Sequence, residues 1–378
     1  MKTIQNKSLQ DIEENTTYVC CAFYVDEEVN YSAKNCHFID CSFRSSIRFD
    51  KIENCAFKNC GFSNQFWLLL HGKKLTEIPK EIFQLQNLTG LHLRNNHITK
   101  IPKEIGKLQN LIELDLGNNH ITKIPKEIGK LQNLIELDLS NNHITKIPQE
   151  IGKLQNLTNL CISSNQLTEI PKEILQLQNL TSLSLYRNWL TEIPKEIGKL
   201  KNLTSLSLYL NWLTKIPKEI GKLQNLIGLD LGNNQITKIP KEIGKLQNLT
   251  VLSLASNHIK KIPEEIFQLQ NLTNLYLGNN KVTEISKEIG KLQNLTLIYL
   301  QDNKITKIPK EIGNLQNLTH LYLFSNEITE IPKEIGQLQN ITYIDLHHNQ
   351  NHLKKIKRQM KKLKRQMEKM LPNCEIKF

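Results

Sequence analysis

Two segments of this chain carry side chains suited to gripping another molecule. Tyr186-Arg187-Asn188-Trp189 and Tyr209-Leu210-Asn211-Trp212 repeat one pattern 23 residues apart. Small residues, Ser182, Ser184, Ser205 and Ser207, precede them. Trp occurs only 3 times in the chain, the third being Trp67. Tyr, Trp and Arg dominate binding hot spots because they bring large rigid area and a polar handle together. The plainer reading is a duplicated block whose rings pack on one another.

Three further groups follow the same spacing. Glu113, Asp115, Glu136 and Asp138 form an acidic cluster. Like charges on neighbouring strands destabilise, so the cluster is either a solvated by-product of copying or a surface for a basic partner. His97, His120 and His143 fall at one step of consecutive copies. Imidazoles beside carboxylates are a Zn²⁺ ligand set, so a metal-dependent binder is an alternative. Tyr276, Tyr299 and Tyr322, with Phe324, Tyr343 and His320 beside them, make an aromatic column. It either stacks on itself or extends a binding face.

Nothing points to catalysis. No Ser/His/Asp or Cys/His arrangement has supporting context, and no Gly-rich phosphate loop is present. No cofactor is implied. The expected activity is recognition of a protein ligand.

The element that positions these groups is a 23-residue unit recurring 12 times from Leu88 to Asn349. A fixed period of this size means a stacked repeat, so one domain grows by adding copies. In Leu111-x-x-Leu114-x-Leu116 the alternation reads as a strand with one buried face. Asn119 ends it, with a side chain able to bond free backbone groups at the turn. The twelve Asn, from Asn96 to Asn349, would then align as a ladder. Ile124, Ile128 and Leu131 follow at helical spacing after Pro125, and Gly129 keeps that piece short. The third, fifth and seventh positions of the frame face outward on the strand side, with the eighth and tenth at its end.

The motif L-x-x-L-x-L-x-x-N-x-[IL] followed by I-P-x-E-I-x-x-L resembles leucine-rich-repeat proteins, and more narrowly the 23-residue type of pathogenic leptospires. The resemblance implies an α/β solenoid: a horseshoe with a concave parallel sheet and short helical or 3₁₀ convex segments. It also implies protein recognition, with a host protein as one class of partner.

Residues 1–17 read as a loose arm and 18–64 as an N-terminal cap. Cys21-Ala-Phe23, Cys36-His-Phe38, Cys41-Ser-Phe43, Cys55-Ala-Phe57 and Cys60-Gly-Phe62 return at multiples of five, with one slip near Phe49. This partly resembles pentapeptide repeats, in which small and large apolar groups point into a square coil. The thiols are then buried small hydrophobes, with disulfide and zinc as the rival readings. Repeats occupy 65–351, the first with Lys73 in place of Asn. A basic amphipathic helix over 352–370 and a last edge strand at 371–378 close the chain.

Of the net charge of +12, that helical segment carries most, so the repeat surface is not a nucleic-acid surface. The helix reads first as a cap over the last rung. The alternative is a membrane- or nucleic-acid-associated adaptor. Met1 to Thr17 has no apolar run of the signal-peptide kind, which favours a cytoplasmic location, with unconventional export as the alternative. Three rows depart from the pattern: Phe83, Leu175 and Phe267 replace Gly, each 92 residues apart. They mark duplication of a four-repeat block or an apolar docking stripe. Ser286 replaces Pro, a local weakening. The N-L-T triplets read as by-products of the repeat.

Overall fold

The computed structural model describes residues 1–26, 29–53, 55–58, 60–62, 65–349, 365 and 368–377. They fall into two compact units, Met1–Leu167 with Pro171–Ser182, and Thr168–Ile170 with Leu183–Phe378.

The first unit begins with the cap, and the cap takes in the segment expected to be an arm. Lys2–Gln5 pairs in parallel with Thr16–Val19, and Ser8–Leu9 with Ala22–Phe23. This outermost coil buries only Ile12 and Thr16 among its first seventeen residues. A polar stretch therefore suffices to build it, and composition hides it. Two four-stranded sheets result, the first continuing through His37–Ile39 and Ala56–Lys58, the second through Ser42–Phe43 and Gly61–Phe62. The Phe side chains stack inside: Phe38 on Phe57 at 4.6 Å, Phe43 on Phe62 at 4.7 Å, Phe62 on Phe66 at 4.3 Å. Cys21, Cys36 and Cys41 are buried beside them, and all eight cysteines are free thiols. The spacing slip is a bulge: Tyr31 pairs with Phe49, but Ser32 pairs with Lys51. Phe66–Leu69 then pairs with Ile47–Glu53 on one side and Gly90–His92 on the other, which joins the cap to the repeats.

Within each unit, successive repeats contribute three-residue strands in parallel register. Glu113–Asp115 lies against Glu136–Asp138, with Leu114 opposite Leu137. The returning segment is a 3₁₀ turn of five residues, as in Lys126–Lys130, closed by Leu131 N–H donating to Ile128 O. Pro125 sits before the turn in extended conformation (φ −71°, ψ 150°) rather than inside it. At Ser286, which lacks the proline ring, the hydroxyl accepts the Glu288 N–H at 3.3 Å and caps the turn instead.

The Asn ladder forms in both units. Asn119 Nδ2 donates to Leu93 O, Leu116 O and Gly117 O at 3.0, 3.0 and 3.1 Å, and its Oδ1 accepts from Ile98 N at 3.0 Å. A second ladder comes from the N-L-T triplets, which are structural and not incidental. Asn271 Nδ2 donates to Gln247 O at 2.9 Å, and Thr273 Oγ1 to Thr250 O at 3.0 Å. Phe83, Leu175 and Phe267 are 5%, 0% and 1% exposed, so they pack inward and form no docking stripe.

In the second unit Glu375–Lys377 pairs with Tyr343–Asp345 as the last strand. The expected helix over 352–370 lies mostly outside the described residues. Arg365 and 368–370 are helical, and Met370 packs against Gly336. Among the described residues no helix is long and apolar enough to cross a membrane.

Candidate recognition faces

The strand face of the second unit holds the paired motif. Tyr186 and Tyr209 stack with ring centroids 5.6 Å apart. Tyr209 leans over Gly232, whose missing Cβ leaves the space, and its hydroxyl accepts from Asn233 Nδ2 at 3.3 Å. The two Trp do not join this stack. Trp189 and Trp212 make no ring contact with each other or with the Tyr pair. They are 51% and 57% exposed, among the most open large apolar side chains of the chain. The cause is the turn between them. Asn188 and Asn211 bury themselves in the ladder, and the residue before each adopts a left-handed backbone, Arg187 at φ 53° and Leu210 at φ 56°.

That left-handed step recurs in every repeat and follows from the strand-to-turn geometry. Elsewhere it is filled by residues that tolerate it, such as Asn95, Asn118, Asn141, Ser164, Asn233 and Asn279. A branched Leu is costly there. Leu210→Asn is therefore expected to raise stability by about 1 kcal/mol, measured by urea denaturation.

In the first unit the acidic cluster is not a free negative patch. Arg94 Nη1 lies 2.7 Å from Asp138 Oδ2 and 3.8 Å from Asp115 Oδ1, reaching over Gly117 where a Cβ would block it. Asp115 and Asp138 also accept the N–H of Gly117 and Ser140 at 2.9 and 2.7 Å. Burial raises the Asp115 carboxyl above the usual range, against the Gly117 N–H that lowers it. Glu113 lies 3.3 Å from His92 Nε2, and Glu136 accepts from Asn159 Nδ2 at 3.1 Å. Sequence reasoning missed Arg94 and His92, and also Trp67, which Arg48 covers at 4.5 Å. The frame alone signals them, since Trp67, His92 and Arg94 occupy its third, fifth and seventh positions.

His97, His120 and His143 are exposed and stack in parallel at 5.7 and 5.8 Å. The four carboxylates are held instead by the contacts above. Among the described residues no group of three or more His, Cys, Asp or Glu is placed to hold a metal ion. Stacked in this way, the three imidazoles do not converge on a common centre.

The Tyr column is continuous. Tyr276 stacks on Tyr299 at 5.1 Å, Tyr299 on Tyr322 at 4.2 Å, and Tyr322 meets Tyr343 at 5.1 Å. Phe324 stacks on His347 at 4.7 Å, and His347 is held by the buried Asp345. The Tyr faces are largely taken up by one another, so this column presents edges. Burial, then the Tyr322 hydroxyl, push the Tyr299 phenol from 10 up to about 12. A raised pKa means the fold favours the neutral phenol. That contribution is complete below pH 10 and is lost as pH rises through 12. Burial likewise pushes the Tyr18 phenol of the cap up to about 12, so a phenolate absorbance titration is expected to show two Tyr ionising late, together with falling stability across that window.

Stacked strand–turn–3₁₀ units, an inward Leu/Ile core, an Asn ladder and variable residues on the strand face define a repeat protein of the recognition class. The family description "Leucine-rich repeat region" matches residues 52–138, 113–188, 218–298 and 274–371, and "Leucine Rich Repeat" matches 179–200. The chain belongs to the leucine-rich repeat family. It is 43% identical to a leucine-rich repeat protein of Leptospira interrogans of known structure, over 84% of each chain, with a TM-score of 0.71. It is 26% identical to an internalin from Listeria monocytogenes, over 74% of this chain and 86% of that one, with a TM-score of 0.62. No curated protein matches it. Proteins of this family generally bind protein partners through the repeat scaffold.

Proposed function

We propose that this chain is a non-enzymatic scaffold that binds a protein partner through the strand face of its second unit. The patch is centred on Tyr186, Arg187, Trp189, Tyr209, Leu210 and Trp212. The observation that carries this reading is a double departure from what the repeat needs. Two Trp are half open to water where other copies carry His, Gln, Lys or Glu, and Leu and Arg occupy a left-handed step that Asn, Ser or Asp fills in most other copies. Residues that oppose local preference are expected where function selects them. The Tyr276–Tyr299–Tyr322 column with Phe324, on the same unit, supplies further contacts for a large partner, and Glu113 and Glu136 of the first unit are a separate candidate face. A host protein is the partner class that the leptospiral likeness suggests.

The test is comparative capture. Immobilised wild-type chain and the Trp189→Ala/Trp212→Ala double variant are exposed to host and bacterial lysates, and retained proteins are quantified by mass spectrometry. A partner retained by wild type is expected to bind the variant more weakly by about 2 kcal/mol or more, with unchanged circular dichroism. An identical retained set for the folded variant would remove the patch assignment.

A further inference from the structure

The most exposed polar groups of this patch are donors. The indole N–H groups of Trp189 and Trp212 only donate, and no hydrogen bond within the described residues uses either. The Arg187 guanidinium only donates, is exposed, and makes no ion pair among the described residues. The Tyr209 oxygen already accepts from Asn233, which leaves its proton to give. Leu210 and the ring faces supply apolar area. The neighbouring strand positions Ser184, Ser205 and Ser207 are small, so the aromatic groups stand as a low ridge beside a shallow floor.

We propose that the Tyr/Trp ridge takes a proline-rich segment in the polyproline II conformation, with an acidic side chain opposite Arg187. This rests on the recognition reading above and names its partner class. The complementarity is chemical. A polyproline II chain has no internal hydrogen bonds, so its carbonyls stay free as acceptors. Its prolines have no N–H to satisfy, which suits a ridge whose exposed groups donate. Its rings are compact and rigid, and pack on aromatic faces with little loss of conformational freedom. An amphipathic helix is a poorer match. Its carbonyls are already paired along the helix, and it needs a deep apolar groove that serines do not make. Arg187 adds the charge preference, since a lone exposed guanidinium favours a carboxylate.

The experiment uses the full chain and fluorescein-labelled peptides: polyproline carrying one glutamate, plain polyproline, and a glycine–serine peptide with the same glutamate. Binding is read by anisotropy and by the blue shift of the exposed Trp emission. The expected order is glutamate-bearing polyproline, then plain polyproline, with no binding of the glycine–serine peptide. Trp189→Ala/Trp212→Ala is expected to weaken the first by about tenfold or more. Arg187→Ala is expected to abolish the preference for glutamate while keeping plain polyproline binding. Failure of wild type to bind polyproline, or equal binding of the glycine–serine peptide, overturns the inference. If captured proteins still depend on the two Trp in that case, recognition by the patch stands and only the partner class falls. If they do not, both fall.

Discussion

Replacing Asn234 with alanine is expected to cost about 4 kcal/mol of local stability in the repeats around it. The amide nitrogen of Asn234 donates to Leu208 O, Leu231 O and Gly232 O at 3.0, 3.1 and 2.9 Å, and its oxygen accepts the Leu213 N–H at 2.9 Å. The side chain is buried, so the alanine variant leaves the Leu213 N–H without a partner, while Leu208 O, Leu231 O and Gly232 O each lose one donor and keep Asn211 Nδ2, Asn257 Nδ2 and the Leu210 N–H. One orphaned buried N–H costs about 1–3 kcal/mol and each of the three lost bonds about 0.5–1 kcal/mol, which together come to about 4 kcal/mol. A stack of repeats loosens locally before it unfolds, so hydrogen exchange is the right reading. Amides across residues 203–236 are expected to exchange about a thousandfold faster, since each 1.4 kcal/mol is tenfold. Asn225→Ala is the control. That side chain is exposed and gives one bond, to Lys201 O at 3.0 Å, so its loss is expected to cost about 1 kcal/mol or less. Equal effects of the two substitutions would mean that burial does not set the value of the ladder.

Both Asn positions recur in every copy, yet only one announces its role. Asn234 follows a strand whose Leu229 and Leu231 alternate, so a turn there is readable and the need to satisfy backbone groups points to the amide. Asn225 sits in a polar stretch, and nothing local shows that its partner is a carbonyl 24 residues earlier. The strands at Lys2–Gln5 and Ser8–Leu9 were hidden for a related reason: the outermost coil is covered on one side only and leaves no apolar signature. Long-range partners fixed only by stacking are what single-sequence patterns omit.

The site was legible to a similar depth. Tyr186, Tyr209, Trp189 and Trp212 stand out by type and spacing, and the Tyr pair does stack. The separation of the Trp from that stack depends on the left-handed step, which the Asn-rich eighth position encodes only when all copies are compared. Arg94 was invisible as a neutralising group because its reach to Asp138 spans two rungs and depends on the empty space at Gly117. Charge counting therefore read an open acidic patch where the fold has built a bridged one.

The convex glycines yield the second large effect. At Gly221 an added Cβ would lie 2.4 Å from Glu242 O, 2.9 Å from Glu242 Cβ and 3.0 Å from its carbonyl carbon. The obstacle is backbone of the next 3₁₀ segment, Lys241–Lys245, which cannot swing aside as a side chain would. Gly221→Ala is expected to destabilise by about 3 kcal/mol, after the gain of about 1 kcal/mol that Ala brings over Gly in a helical backbone is offset. Gly152 makes the contrast. Its next neighbour segment is the shortened Ile174–Gln176, preceded by Glu173 in helical conformation, and a Cβ would meet Glu173 Cβ at 3.2 Å and its carbonyl at 3.3 Å. Gly152→Ala is therefore expected to lie within about 0.5 kcal/mol of neutral. Thermal melts of the two variants separate the explanations. A large drop for Gly221→Ala alone means that glycine is required by close approach of successive turns. That also explains why Phe83, Leu175 and Phe267 are buried: a large side chain fits only where the following turn has stepped back to receive it. Equal drops for both variants would return the role of these glycines to shortening the helical piece.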